Sequence, residues 1–599
     1  MTAISLFHRP SFGSKIQGIK DQASLTALLA SMFSFSVRFF LDVESTTNAQ
    51  DMPSSKQFHQ MALDQIDEIL KGMEEDAPPL VVLQAMTLCG YNQLIGGVHG
   101  KGWRLVGSCV RIAYELRLHL IDYEAPIFTS DDAGYTHKWV AKEEQRRCWW
   151  AIWEMDVFAS TVRRSPLAID WTMNETYLPV DDELWFKNQH CQSCFLDPQP
   201  GERWKKLNKS GNKSPSAWLI VLSSIMRDAQ SLSRGNLQGV RSEDNGTDQV
   251  AELQQYFRNV FRKKSPAADE QQPSFLGHAL RSTVSTLPES LAYKGEALSF
   301  GSDDITPEPS SFKRPRGFWD AARYSIFLTI QLARFQIFHH YAFSEIASGT
   351  LFTENPVDPP FGWTVTRSSL QGSMRNCEGL RNCLEAADDI HAILTNVPEE
   401  HVKWVNPFLS STVWLAASLQ VLRKVYSLGT DTENESKFAL LRLTCQRYQA
   451  FWGTPLTLIS NIDCLESHLI HKRRIAAGME ARCNTKHHSP KPQLDRSSRE
   501  CGEGEPGDLD MGVGFSDDPT SDVWRRQDSS VSLGDIDSIQ TFLDAVPGFD
   551  TADLSAAFST MPFLDMMPDG QSGLDECSVE YSPGCLNQSL YTNLDAADG

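Results

Sequence analysis

An all-α fold is predicted: a large multi-helix body over residues 21–480, followed by a disordered acidic tail over 484–599. Three observations predict it. Apolar residues of the first 480 positions recur at steps of three and four, the spacing that draws a stripe down a helix. No run alternates as a strand would, and no βαβ rhythm appears. Past Asn484 the periodic stretches stop, and Ser, Gly, Pro and Asp take over.

Charge divides the chain at the same place. The 599 residues carry a formal charge of −21. Residues 501–599 hold 20 acidic residues against Arg525 and Arg526 alone, a net −18, which leaves −3 for residues 1–500. The tail would repel phosphate, so global charge points to no nucleic-acid face. Apolar residues make up 41% of the chain, with 31 Phe and 15 Trp, enough for a sizeable core. The 13 cysteines form no disulfide framework; Cys89, Cys109 and Cys148 sit in apolar helical patterns as small hydrophobes, which suits a reducing compartment. The long apolar runs at Leu25–Leu41 and Phe318–Phe343 are broken by charges, so no signal peptide and no membrane partner are expected.

After an N-terminal segment, residues 1–20, helices are expected at Ser24–Leu41 and Ser55–Lys71. Leu80–Ile95 follows Pro78-Pro79, placed where a missing N–H costs little. The stripe Trp103, Val106, Val110, Ala113, Leu116, Leu120 predicts one helix over Gly102–Leu120. Four glycines, at 96, 97, 100 and 102, turn the chain between these two helices. Lys142–Val162 is the next helix, with Glu143 and Glu144 at the positive end of its dipole. Further helices are read at Ser216–Ser231, Gln249–Phe261, Trp319–Phe343, Arg375–Leu394, Pro407–Leu428 and Glu435–Ile459. Polar linkers are expected near 233–248, 263–273, 299–317 and 350–373.

Short apolar clusters recur within the tail. Ile536, Ile539, Phe542, Leu543 and Val546 fall on one face of a short helix; Phe558 and then Phe563 and Leu564 follow among acids. This is the composition of an acidic activation segment. It would dock a coactivator through Ile536, Ile539, Phe542, Leu543, Phe558, Phe563 and Leu564. The basic run Lys313, Arg314, Pro315, Arg316 is the first choice for a nuclear-import signal.

Two segments, 83–122 and 143–185, resemble the middle homology region of the fungal zinc-cluster transcription factors. The resemblance rests on Ala113, Leu116, Leu118 and His119. It continues with Arg146, Trp149, Trp150 and Asp156, and ends with Leu178, Pro179, Asp181, Asp182 and Glu183. The family's Gly-Arg-Pro turn reads Arg164-Ser165-Pro166 here: Pro166 is kept and the Gly is replaced. The family's zinc-cluster head is absent from this sequence, and residues 1–88 hold no cysteine. The resemblance implies a nuclear transcriptional regulator, an activator of a metabolic gene set such as a secondary-metabolite pathway. DNA would be reached through a head ahead of this chain or through a DNA-binding relative, with homodimerisation the other pairing. An adaptor that modulates such a relative is the alternative. No cofactor is expected in this chain, and zinc would enter only with an N-terminal cluster. Cys191 and Cys194 supply two ligands and His190 a third, short of the four that structural zinc takes.

Trp149, Trp153 and Asp156 share a helix face, so Asp156 needs a partner; Arg111, Arg163 or Arg164 is expected to supply it in a buried ion pair. A ligand pocket lined by these tryptophans is the sharper alternative. No enzyme is expected, since no phosphate loop, no GxGxxG following a strand, no HExxH and no GxSxG occurs. A helical terpenoid cyclase, the one rival considered, would need a second carboxylate cluster facing Asp388-Asp389, and none is present.

Overall fold

The computed structural model describes residues 4–40, 53–123, 135–163, 165–170, 173–237, 266–300, 316–347, 378–426, 431–467 and 469–471. Among them the regular structure is helical throughout, with no strand. The helices are α1 (Phe12–Gly18), α2 (Gln22–Phe40), α3 (Ser55–Gly72), α4 (Leu80–Ile95), α5 (Gly100–Glu115), α6 (Tyr135–Arg163) and α7 (Asp182–Phe186). They continue as α8 (Pro200–Ser210), α9 (Pro215–Leu237), α10 (Pro266–Ser285), α11 (Arg316–Ala347), α12 (Glu378–Leu394), α13 (Ser410–Tyr426) and α14 (Asp431–Trp452).

Helix α4 is the hub. It packs on α2, α3, α5 and α6, so it has no solvent face to keep polar, and every residue from Val82 to Tyr91 is buried. Its two buried polar side chains are satisfied. Gln84 donates to Glu144 at 2.8 Å, and Thr87 donates to the Leu83 carbonyl at 2.7 Å. Helix α3 is amphipathic and starts at a capping box. The Ser54 hydroxyl accepts from the Gln57 N–H, and the Gln57 side chain accepts from the Ser54 N–H. Between α4 and α5 the chain turns at Gly97, whose φ is +112°. A Cβ there would meet His99 Nε2 at 2.8 Å and Pro455 Cγ at 3.2 Å, so the glycine is required twice over.

The second half repeats the logic. Helix α11 lies between α9 and α12, and α13 packs on α12 and α14. One contiguous apolar core runs from Leu6 to Leu469. The N-terminal segment is part of it: Leu6 and His8 are buried, and His8 Nε2–H donates to the Trp185 carbonyl at 3.0 Å.

Several boundaries differ from expectation. The helix predicted over Gly102–Leu120 ends at Glu115. Arg117 adopts a left-handed φ of 55°, and a 3-10 turn at Leu118–Leu120 drives Leu118 into the core. Helix α6 begins at Tyr135, not Lys142, so Glu143 and Glu144 lie well inside it, buried, and not at the dipole's positive end. The linker expected near 263–273 is helical from Pro266, a residue suited to a first turn. Helix α9 runs into the linker expected near 233–248. In the linker expected near 299–317, Phe300 is buried, the Ser299 N–H donates to Asp320 at 2.8 Å, and Arg316 opens α11. The helix expected over Glu435–Ile459 breaks at Gly453, φ +73°. Helices α1, α7, α8 and α10 are absent from the sequence expectation. The segments 249–261, 350–373 and 484–599 lie outside the described residues.

Candidate functional site

The residues that carry the family resemblance come together around α6, which has two working faces. Trp149, Trp153 and Asp156 lie on one. Ala151, Glu154, Met155, Phe158 and Thr161 lie on the other, about half a turn away.

The first face is structural. Asp156 is buried, and neither Arg111 nor Arg163 holds it. Its carboxylate accepts from the backbone N–H groups of Ala168 at 2.9 Å and Ile169 at 3.0 Å, and from Ser160 at 3.3 Å. Burial pushes this carboxyl up, with the amides of Ile169 and Ala168 pulling the other way. Asp156 thus clasps the loop that follows Pro166, whose carbonyl accepts from Ser160 at 3.2 Å. Pro166 itself is exposed. Arg163 instead donates to the Val98 carbonyl at 3.0 Å and lies over the Trp103 ring; Arg111 is exposed, and the position of Arg164 is not described. Trp149 is fully buried against Tyr114 and His119. Trp150 donates to the Tyr177 carbonyl at 2.8 Å and packs edge-on against Trp153.

One turn earlier, α6 carries a buried ion chain. Arg146 donates to both oxygens of Asp122, at 2.6 and 2.8 Å, and to Glu143 at 3.2 Å. Arg147 donates to Glu143 at 3.0 Å, to Asp182, and to the Val180 carbonyl at 2.7 Å, with its guanidinium over the Trp185 ring. Burial disfavours the charged form of Arg146, but the carboxylates of Asp122 and Glu143 outweigh it and hold its proton more tightly than in water. Glu143 also accepts from the Val180 N–H at 2.9 Å. Two loops and α7 are therefore tied to α6 through Arg146, Arg147 and the carboxylate of Glu143 that joins them.

The second face of α6 lines a cavity of about 120 Å³. Helices α4, α6, α9, α11 and α13 contribute to its wall, and Ile4 and Ser5 close one end. The tryptophans named above do not line it, so the pocket expected among them lies elsewhere. Phe158 stacks on Phe408 with centroids 4.0 Å apart, and Tyr91 packs on Phe408 at 4.5 Å. Glu154 is part-buried on this wall, and burial pushes its carboxyl up to about 8. The Thr412 hydroxyl, also on the wall, is buried without a hydrogen bond. Among the described residues no Lys, Arg or His lines the cavity.

The other sites read from the sequence resolve simply. Cys191 donates its S–H to the Gln192 carbonyl, and His190 packs on Trp139. No cluster of three or more His, Cys, Asp or Glu able to hold a metal occurs among the described residues. Asp388 is paired with Arg423 and Lys437, and Asp389 with Arg334. Burial raises the thiols of Cys89 and Cys148 to about 12, which leaves them as packing groups. Lys313 and Arg314 lie outside the described residues; Arg316 is the first residue of α11, and its side chain is not described. Ile536, Ile539, Phe542, Leu543, Phe558, Phe563 and Leu564 also lie outside.

Among the described residues the body is all-α, clasped around a Trp-rich helix. Residues 2–280 match the family described as the fungal specific transcription factor domain. A relative from Talaromyces stipitatus, the tropolone cluster transcription factor tropK, is 23% identical over 261 residues, 44% of this chain and 43% of that protein. The transcription factor tazR of Aspergillus terreus is 25% identical over 124 residues, 21% of this chain and 19% of its own length. The Zn(2)-C6 fungal-type transcription factor FTF1c of Fusarium oxysporum is 26% identical over 122 residues, 20% of this chain and 13% of its own. The chain thus spans less than half the length of these relatives. No solved structure matches it. No helix among the described residues is long and apolar enough to cross a membrane.

Proposed function

We propose that the protein is a nuclear transcriptional regulator that activates a metabolic gene set. The observation that carries this reading is the match of residues 2–280 to the fungal specific transcription factor domain. The name of the Talaromyces relative, given for a tropolone cluster, supports secondary metabolism as the target class. The helical body is the regulatory and pairing part. The acidic tail is the effector part, and its apolar clusters at Ile536–Leu543 and Phe558–Leu564 dock a coactivator groove. DNA is read by a zinc-cluster head ahead of these residues or by a DNA-binding relative. The second of these makes the protein an adaptor.

Fusing residues 484–599 to a foreign DNA-binding domain tests the effector role. The fusion is expected to raise a reporter at least tenfold over the DNA-binding domain alone. Replacing Phe542, Leu543, Phe563 and Leu564 together by Ala should return it to background at equal protein level. A fusion that stays silent, or a quadruple variant that activates as well as its parent, defeats the activator reading.

A further inference from the structure

We infer that the cavity beside α6 is a binding site for a small apolar amine, held as its ammonium by Glu154 and the rings of Phe158, Phe408 and Tyr91. The inference goes beyond the transcriptional reading and does not depend on it.

Four observations point to that chemistry. Glu154 stands on the cavity wall in α6 and makes no ion pair or hydrogen bond among the described residues, although burial penalises its charge. An unpaired carboxylate of this kind is costly unless a cation comes to it. Among the described residues the cavity wall holds no Lys, Arg or His. The other ionisable groups on the wall are Tyr91, which donates to Asn406 at 2.8 Å, and Asp182, which is paired with Arg147. The aromatic rings on the same wall offer negative faces, the surroundings that attract an ammonium once it leaves water. The rest of the wall is largely apolar, with Met155, Leu219, Met226, Ala322 and Leu332, and would take a hydrocarbon or aryl tail.

The position gives such a ligand leverage. The cavity is walled by α4, α6 and α9 from the segment 2–280 and by α11 and α13 from the segment beyond it. An occupant touches both segments and stabilises their packing by linkage.

The geometry also predicts a proton. At pH 7 the unoccupied Glu154 is mostly protonated, since its pKa is about 8. An arriving ammonium favours the carboxylate, so binding releases a proton to the buffer.

Isothermal titration calorimetry of the full chain with phenethylammonium, against neutral phenethyl alcohol, tests the assignment. The amine is expected to bind saturably and at least tenfold more tightly than the alcohol. Its heat should differ between phosphate and Tris at pH 7 by nearly one released proton. Glu154→Gln is expected to weaken the amine at least tenfold and abolish the buffer dependence. Its melting temperature at pH 7 should equal or exceed the parent's, because the substitution removes an unpaired buried acid. Ala322→Leu, which fills the cavity from α11 and leaves Glu154 in place, should weaken the amine as well. If the alcohol binds as tightly as the amine, or Glu154→Gln leaves amine binding unchanged, the site recognises something other than a cation. If the amine does not saturate at all, the assignment fails.

Discussion

Glu143→Ala is expected to destabilise the body by about 4 kcal/mol, enough to leave much of the chain unfolded at 37 °C. The size follows from what one carboxylate does. It accepts from Arg146, from Arg147 and from the Val180 N–H, with its side chain wholly buried. Its removal leaves Arg147 with Asp182 alone at its carboxylate end and strands a buried amide. Glu143→Gln keeps the shape and one acceptor oxygen and should cost less, about 2 kcal/mol. Urea unfolding followed by circular dichroism measures both. An Ala variant within about 0.5 kcal/mol of the parent would show that the chain of charges contributes no net stability.

Asp156→Ala is expected to cost about 3 kcal/mol, because the buried Ile169 amide loses its acceptor and the Ala168 amide loses its own. The effect is local as well as global. The clasp on the loop after Pro166 opens, so limited proteolysis should cut near residues 165–170 in the variant before any other site. Asp156→Asn retains one acceptor oxygen and should keep the loop resistant for longer. If the Ala variant resists protease as the parent does, the loop is held by something other than this carboxylate.

These two sites show which parts of the architecture could be read before the coordinates. The α4–turn–α5 hairpin was legible because its glycines and its apolar stripe are local signals. The Glu143–Arg146–Arg147 spacing was also visible, since carboxylate and guanidinium stand three and four apart on one helix. Its buried character was not, because the start of α6 was read at Lys142 and Glu143 was taken for an end residue. Asp122 comes from a loop 24 residues away, and nothing local marks it as the partner of Arg146. Asp156 was recognised as needing a partner, but the search ran over side chains, whereas its partners are backbone amides, which no sequence letter distinguishes.

The cavity was least legible. Its wall draws on positions from Ile4 to Thr412, and only folding brings them together. The signal that was available is Glu154 itself, a second acid two residues before Asp156 on the opposite face of the helix. The tryptophans drew attention to the wrong side. They fill the core face, where their area is best buried, and leave the cavity to smaller side chains, Tyr91 and three phenylalanines.

The central claim is that this protein acts at genes. Chromatin immunoprecipitation of the tagged full chain from the source organism, read together with transcript levels after its deletion, tests that claim directly. The account predicts enrichment at a limited set of promoters and a fall in transcripts of the metabolic genes behind them, whether DNA is held by the protein or by a relative bound to it. Absence of promoter enrichment, with transcripts unchanged on deletion, would contradict it.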